Sequence, residues 1–262
     1  MTSPLAPAPL SPGWCIAPPL VLGLAAAGMM MSGANMPVFM VLNQWTRALP
    51  DGLWATVTDT ASVLSAGAVL ALCLRSAPRA VLAVVMAWPV GIVMVRGLKA
   101  LVDAPRPQDL MAADGFHQIG VTLSGYSFPS GHTATAFTVV AALLLSTPAC
   151  RRAVPALLLL MAGVLVALSR IAVGAHWPGD VLAGAATGWL CAVIGAHLSQ
   201  RWPLWQSRRV LTLLAIAGIV VSLARVFFST GYPQAQGWSS ALGLAGLLGA
   251  SMALRQARSA AP

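Results

Sequence analysis

Eight long apolar runs dominate this 262-residue chain. A helix that crosses a bilayer needs roughly 20 predominantly apolar residues, and each run comes near that length. Hydrophobic residues make up 58% of the chain and charged residues 8%, a composition that excludes a water-soluble domain of this size. The sequence therefore predicts an all-α, polytopic membrane helical bundle. The predicted spans are about 17–41, 54–74, 78–98, 131–148, 153–173, 179–198, 210–229 and 238–254.

The distribution of charge predicts how the bundle is oriented, because the cytoplasmic ends of spans accumulate Lys and Arg. With the N-terminus inside, the inner side receives nine arginines and no acidic residue: Arg75, Arg79, Arg151, Arg152, Arg201, Arg208, Arg209, Arg255 and Arg258. All six aspartates lie on the opposite face, or in the second span nearer to it. Both termini are thus predicted to be cytoplasmic. The net charge of +9 is explained by these inner links, and we expect no nucleic-acid partner.

Three short polar segments are predicted to lie at the outer face. They are K-A-L-V-D-A-P-R-P at 99–107, P-S-G-H at 129–132 and S-R-I-A-V-G-A-H-W-P-G-D at 169–180. Taken singly, each has an ordinary explanation: Lys99, the only lysine, and Arg106 can snorkel to the interface, and Ser130 can cap a helix. Ionisable groups at membrane depth are costly, however, and they usually serve function.

The third segment predicts a specific local geometry around a histidine. If Pro178 takes the first helical position, Trp177 is the N-cap and Asp180 lies in the first turn. From there, the carboxylate can reach back and accept a hydrogen bond from Nδ1 of His176. That arrangement leaves Nε2 of the imidazole free to act as a nucleophile.

The charges of the three segments indicate a site for an anion if the segments converge. Lys99, Arg106 and Arg170 supply three positive charges against the single carboxylate of Asp180, which leaves a net charge of +2. Such a cluster is costly near a low-dielectric region unless a ligand balances it, and a phosphate dianion would do so. The backbone N–H groups of residues 130 and 131 are expected to add donors for the phosphate oxygens.

Together, the three segments resemble the signature of the type 2 phosphatidic acid phosphatase (PAP2) family, which reads K-x6-R-P, P-S-G-H and S-R-x5-H-x3-D. The matching residues are Lys99, Arg106 and Pro107, then Pro129 to His132, then Ser169, Arg170, His176 and Asp180. The resemblance covers about 54–198 and implies a six-span PAP2 core. We therefore predict a mobile N-terminal tail at 1–16, the phosphatase membrane core at 17–200, and a C-terminal two-helix transmembrane hairpin with a cytoplasmic tail at 201–262.

The resemblance also implies a role for each site residue. His176 would attack phosphorus and form a phosphohistidine, Asp180 would hold His176, and His132 would protonate the departing oxygen and then deprotonate water. The phosphate would be bound by Lys99, Arg106, Ser130, Gly131 and Arg170. Neither a metal nor another cofactor is implied, because the basic cluster neutralises the phosphate.

A site at the outer edge of the bilayer suits a membrane lipid with a phosphate head group. The composition is typical of a high-GC bacterium, for which the resemblance implies an inner-membrane enzyme with a periplasmic active site and undecaprenyl diphosphate as the leading substrate. Phosphatidate, phosphatidylglycerol phosphate and lipid A phosphates stay open as substrates. So do a lipid phosphotransferase and a non-catalytic lipid-binding protein. Vanadium-dependent haloperoxidases share the family fold but are soluble, so they rank lowest.

Small and charged residues inside the spans lead to further expectations. Gly184 and Gly188 are predicted to let the sixth span pack closely, and glycines at 243, 246 and 249 to do so for the C-terminal hairpin. Arg225, near the outer end of the seventh span, is expected to snorkel, with a lipid head group as the alternative contact. The loop from Gln108 to Phe128 is expected to be a solvated polar loop rather than a divalent-metal site.

Overall fold

The computed structural model describes residues 10–112 and 114–259, which form helices and loops with no strand among them. The predicted all-α class is confirmed. The helices are α1 (Pro12–Met31), α2 (Asn35–Thr46), α3 (Asp51–Asp59), α4 (Val63–Cys73), α5 (Pro78–Val102), α6 (Pro107–Leu110), α7 (Gly131–Ser146), α8 (Ala153–Ala172), α9 (Pro178–Arg201), α10 (Arg208–Phe227) and α11 (Gln236–Ser259). Single turns of 3-10 helix follow α7, α9 and α10.

Most of these helices are long and apolar enough to cross a membrane. Within the described residues, six segments pass that test alone: α1, α5 with α6, α8, α9, α10, and α11 with the turn before it. Helices α3 and α4 pass it together as one span with a bend of 65°, and α7 is a shorter apolar helix of 16 residues. The chain is therefore a multi-pass membrane protein, and each predicted span has a helical counterpart.

The first apolar run differs from the prediction, because the structure divides it into two helices. A single span at 17–41 was expected, but α1 ends at Met31 and α2 begins at Asn35. Gly33 between them has φ of +71°, a left-handed conformation that ends a helix. Of the N-terminal tail predicted at 1–16, the first nine residues lie outside the described residues, and α1 already begins at Pro12.

Helix α9 lies at the centre of the bundle, in direct backbone contact with its neighbours. A Cβ placed on Gly184 would lie 2.5 Å from the carbonyl oxygen of Ser130, and one on Gly188 would overlap the carbonyl of Ala134 in α7. The predicted close packing of these two glycines is confirmed. As a consequence the first turns of α7 and α9 lie side by side, and the Ser130 N–H donates to the Asp180 carbonyl oxygen at 2.9 Å.

Glycines also seat the C-terminal hairpin, α10 and α11, against the rest of the bundle. A Cβ on Gly246 would lie 2.8 Å from the carbonyl oxygen of Ala68, and one on Gly249 would lie 2.9 Å from that of Ala71. Gly243 makes the same close approach to α10. The prediction that these glycines pack the hairpin closely is confirmed, and α11 lies directly on α4.

The expectation that Arg225 snorkels to the interface is wrong, because its side chain points into the bundle. Arg225 is only 1% exposed, and its Nη2 lies 2.7 Å from Oδ2 of Asp59, which is fully buried. Its Nε donates to Oγ of Ser65 at 2.9 Å. The carboxylate of Asp59 also accepts from Thr230 Oγ1 at 2.6 Å and from Ser239 Oγ. Both members of this ion pair thus have several hydrogen-bond partners, which a buried pair requires.

Candidate active site

The three polar segments meet at one end of the bundle. Arg106, at the start of α6, has its Nη1 at 3.5 Å from Nε2 of His176, in the α8–α9 loop, and donates to the Ala175 carbonyl oxygen at 2.8 Å. Nζ of Lys99 donates to the carbonyl oxygen of Ser127, whose hydroxyl donates to Asp180. The Ser130 N–H donates to the Asp180 carbonyl oxygen at 2.9 Å, which joins the P-S-G-H segment to the third segment. The expected convergence is therefore confirmed, which makes one site from segments far apart in sequence.

The start of α9 has the geometry predicted from its sequence. Trp177 is the N-cap, Pro178 occupies the first helical position, and Oδ2 of Asp180 accepts from the Trp177 N–H at 2.9 Å. A carboxylate in the first turn is favoured by the unpaired N–H groups there. This cap fixes Asp180 next to His176, the residue immediately before the N-cap Trp177.

The contact between His176 and Asp180 includes a third residue that the sequence analysis did not identify. Nδ1 of His176 lies 3.5 Å from Oδ2 of Asp180 but 3.3 Å from Oγ of Ser127. The Ser127 hydroxyl in turn donates to Oδ2 of Asp180. Because its only proton is used there, Ser127 can only accept from Nδ1–H. The expected direct hydrogen bond is thus replaced by a relay through Ser127, and Nε2 keeps its lone pair.

His176 is neutral at physiological pH in this environment. Burial is the main cause that lowers its pKa well below the ordinary value, and the positive charges of Arg170, Arg106 and Lys99 lower it further. The residue lies in the loop between α8 and α9, with its side chain almost fully enclosed. With the proton on Nδ1, Nε2 is unprotonated and faces Nη1 of Arg106 at 3.5 Å, and a neutral imidazole of this tautomer is the form that can act as a nucleophile.

The three basic residues of the site are bound by neutral oxygens. Nζ of Lys99 donates to the carbonyl oxygens of Tyr126 at 2.5 Å and Ser127 at 3.3 Å. Arg106 donates to the carbonyl oxygens of residues 125, 126 and 175 at 2.9, 3.2 and 2.8 Å. Arg170 donates only to hydroxyls in the described part of the chain. No carboxylate of that part lies within ion-pairing distance of any of the three, so their charge is available to an anion.

The P-S-G-H segment contributes differently from the expectation. The Ser130 N–H donates to the Asp180 carbonyl oxygen, so it is not a free donor for phosphate as predicted. The Ser130 Oγ caps α7 by accepting from the Thr133 N–H at 3.4 Å and from the Thr133 hydroxyl at 2.9 Å. The carbonyl of Asp180 in α9 accepts the Ser130 N–H because the first turns of α7 and α9 lie in contact. Gly131 is half-buried and borders a cavity that His132 also lines.

A cavity of about 300 Å³ lies beside His132, between α4, α5 and α7. Its walls are mostly apolar and include Val84 of α5 and Val139 of α7. Val63 and Ile92, at its edge, are exposed on the outside of the bundle, where lipid would lie. The cavity therefore extends from His132 to the outer surface of the helices, along walls that are mostly apolar.

The outer loop is held by side chains rather than by a cluster of metal ligands. Nε2 of His117 lies 2.8 Å from Oδ1 of Asp51, and the His117 N–H donates to Oδ1 of Asn43. The Asn43 side chain also donates to the carbonyl oxygen of Ile171 at 3.0 Å, next to Arg170. Over residues 10–112 and 114–259, no three His, Cys, Asp or Glu side chains form a group that could hold a metal ion.

Comparisons with known proteins agree on one family. The model of the PAP2 superfamily matches residues 78–204. Undecaprenyl-diphosphatase of Sulfolobus acidocaldarius is 34% identical over 86 residues, which are 33% of this chain and 40% of that protein. Lipid A 1-phosphatase of Rhizobium etli is 32% identical over 126 residues, which are 41% of this chain and 50% of that one. The chain thus spans about half or less of the length of these relatives.

Two solved structures have the same arrangement of helices. The crystal structure of Aquifex aeolicus LpxE has a TM-score of 0.55 and 26% identity, and the match covers 63% of this chain and 95% of that one. The crystal structure of the PAP2-type phosphatidylglycerolphosphate phosphatase of Bacillus subtilis also has a TM-score of 0.55, and the match covers 72% of this chain and 98% of that one. Its identity is 17%, so this likeness shows the fold alone. The segment that matches the PAP2 superfamily, residues 78–204, contains all three motifs of the site.

Proposed function

We propose that this protein is a metal-independent membrane phosphatase that hydrolyses a lipid phosphate or diphosphate through a phosphohistidine intermediate. One observation carries the proposal: Arg106 lies 3.5 Å from Nε2 of His176, and Lys99 and Arg170 act on the same ring through their charges. All three cations are held by neutral oxygens. Three positive charges against the carboxylate of Asp180 suit a phosphate dianion. The same cations supply the charge stabilisation on which phosphoryl transfer depends.

The reaction would proceed in two steps, each with a defined fate for its proton. Nε2 of His176 attacks phosphorus as the bond to the lipid oxygen breaks, and the imidazolium form of His132 donates its proton to that oxygen. Neutral His132 then takes a proton from water, and the hydroxide attacks phosphorus as the N–P bond breaks. Inorganic phosphate leaves, and both histidines return to their starting forms. Through Ser127, Asp180 would stabilise the positive charge that develops on the His176 ring.

The apolar cavity beside His132 supports a lipid as the substrate. His132 is the residue proposed to protonate the leaving oxygen, so the leaving group would extend into this cavity and toward the exposed apolar residues at its edge. Among lipids, undecaprenyl diphosphate is our leading proposal and lipid A phosphates come next, because relatives of this chain bear those names. Phosphatidate and phosphatidylglycerol phosphate are the other candidates.

The proposed orientation has the site at the periplasmic face of a bacterial inner membrane and both termini in the cytoplasm. The site is formed by the C-terminal ends of α5 and α8 and by the N-terminal ends of α7 and α9. The opposite ends of these helices carry the arginines of the short links, such as Arg79 and Arg152. Lys and Arg accumulate in cytoplasmic links, which supports this orientation.

Phosphate release by the detergent-purified protein tests the proposal. The four lipids are supplied in turn with EDTA present, and His176→Ala is compared with His197→Ala, a matched change at an exposed histidine near the other end of α9. We expect release that survives EDTA, persists in His197→Ala and vanishes in His176→Ala. Substantial hydrolysis by His176→Ala would refute the phosphohistidine mechanism. Loss of activity in EDTA that added metal restores would refute metal independence.

A further inference from the structure

Arg170 is anchored by two hydroxyl groups from parts of the chain outside residues 78–204. Its Nη1 donates to Oγ1 of Thr58, in the bent span, at 2.5 Å and to the phenolic oxygen of Tyr232, in the C-terminal hairpin, at 3.1 Å. The side chain is only 1% exposed. Its Nε is buried and has no hydrogen-bond partner among the described residues. One edge of the guanidinium is thus held, while a donor remains for a ligand.

Hydroxyl anchors have a consequence that carboxylate anchors would not have. A hydroxyl oxygen accepts from the guanidinium but leaves its full positive charge in place, whereas a carboxylate would neutralise it. Buried Arg225 provides the contrast within the same chain, because it is paired with Asp59 at 2.7 Å. The structural arginine is therefore neutralised, and Arg170 keeps its charge for an anion.

The C-terminal hairpin fixes the position of Thr58 through the adjacent residue. Asp59 lies at the end of α3, just before the 65° bend, and is fully buried. It accepts hydrogen bonds from three residues of the hairpin: Arg225, Thr230 and Ser239. These contacts hold the end of α3, and with it Thr58, against α10 and α11.

Packing fixes the ring of Tyr232 over the loop that leads to His176. Tyr232 is 8% exposed and belongs to a buried cluster with Trp54, Val173 and Ala175. A Cβ on Gly120 would lie 2.6 Å from its ring, so the ring lies directly against the backbone of the outer loop. The phenolic oxygen is thereby held within reach of Arg170 at the end of α8.

We propose that Thr58 and Tyr232 are positioning residues that hold Arg170 for the substrate phosphate. On this proposal the bent span and the C-terminal hairpin complete the anion site, in addition to anchoring the protein in the membrane. The proposal rests on the proposed function, in which Arg170 binds the phosphate. It assigns a role in the site to a hairpin that the PAP2 superfamily match does not include.

Inhibition by orthovanadate, a phosphate analogue, tests this role in the purified full-length protein. Tyr232→Phe and Thr58→Val each remove one hydroxyl with little change in shape, and we expect each to raise the inhibition constant about tenfold, as for the loss of one hydrogen bond to a charged group. In an Arg170→Lys background the same changes should have a much smaller effect. Tyr126→Phe and Thr56→Val are matched controls, since the Tyr126 side chain is exposed and the Thr56 hydroxyl bonds within its own helix.

The outcomes separate this proposal from the proposed function. A purely structural role would lower the unfolding temperature and the active fraction but leave the inhibition constant unchanged, and that result would overturn the positioning role alone. If the wild-type protein releases no phosphate, stabilisation against unfolding by vanadate still reports anion binding. Weaker stabilisation in Tyr232→Phe would then support the positioning role without the phosphatase activity. A wild-type protein that neither releases phosphate nor is stabilised by vanadate would overturn both.

Discussion

Replacing Ser127 with Ala tests whether Asp180 orients His176 directly or through the serine hydroxyl. The change removes the hydrogen bond from Ser127 to Oδ2 of Asp180 and the acceptor 3.3 Å from Nδ1 of His176. The side chain is fully buried, so the variant leaves the carboxylate with one partner fewer. The backbone carbonyl of residue 127, which binds Lys99, is unchanged.

The size of the expected effect follows from the kind of hydrogen bond that is lost. A hydrogen bond to a charged group contributes about 1.5–3 kcal/mol, and a tenfold change in rate corresponds to about 1.4 kcal/mol. We therefore expect kcat to fall by about 10- to 100-fold in Ser127→Ala. KM should stay close to the wild-type value, because none of the phosphate-binding cations loses a contact.

Steady-state phosphate release, supported by single-turnover formation of the phosphoenzyme, measures this effect. Ser124→Ala, in an exposed position of the same loop, is the matched control and should behave like the wild type. Without the hydroxyl, Asp180 could close the 3.5 Å gap to His176 and form the direct contact. A kcat within twofold of the wild type would therefore refute the relay and favour direct orientation.

Three further predictions concern pH and stability. An ordinary histidine is half protonated near about pH 6.5. Because the pKa of His176 is well below that value, and because acidification favours the imidazolium form of His132 that the first step needs, phosphoenzyme formation should not slow as the pH falls through this range. A fall in rate that follows the titration of an ordinary histidine would contradict the neutral nucleophile. The unfolded chain binds the proton first, so acidification below about pH 6.5 should lower the unfolding temperature. Arg225→Ala leaves Asp59 buried and unpaired and should cost about 3–5 kcal/mol of unfolding free energy in detergent. Arg208→Gln loses only bonds to carbonyls near the C-terminus, so an equal loss there would contradict this reasoning.

Local patterns predicted the parts of the site that depend on neighbouring residues. The cap formed by Trp177, Pro178 and Asp180 follows from helix geometry over four residues, so spacing was sufficient to predict it. Ser127 was not predicted, because it contacts Asp180 from 53 residues away and no helical spacing relates the two positions. The Ser130 N–H was predicted to bind phosphate, but tertiary packing brings α9 close enough for this N–H to donate to the Asp180 carbonyl oxygen instead.

Arg225 and Arg170 show the same division on a larger scale. The sequence alone determined that both arginines lie in apolar helices near one face, because each stands near the end of a long apolar run. Only the tertiary structure decided that Arg225 is neutralised by Asp59, whereas Arg170 is held by Thr58 and Tyr232 and keeps its charge. Hydropathy and motif spacing record which residues enter the membrane and which chemistry they carry. Partners are set by helix rotation, bends and close glycine contacts, and these depend on the whole bundle.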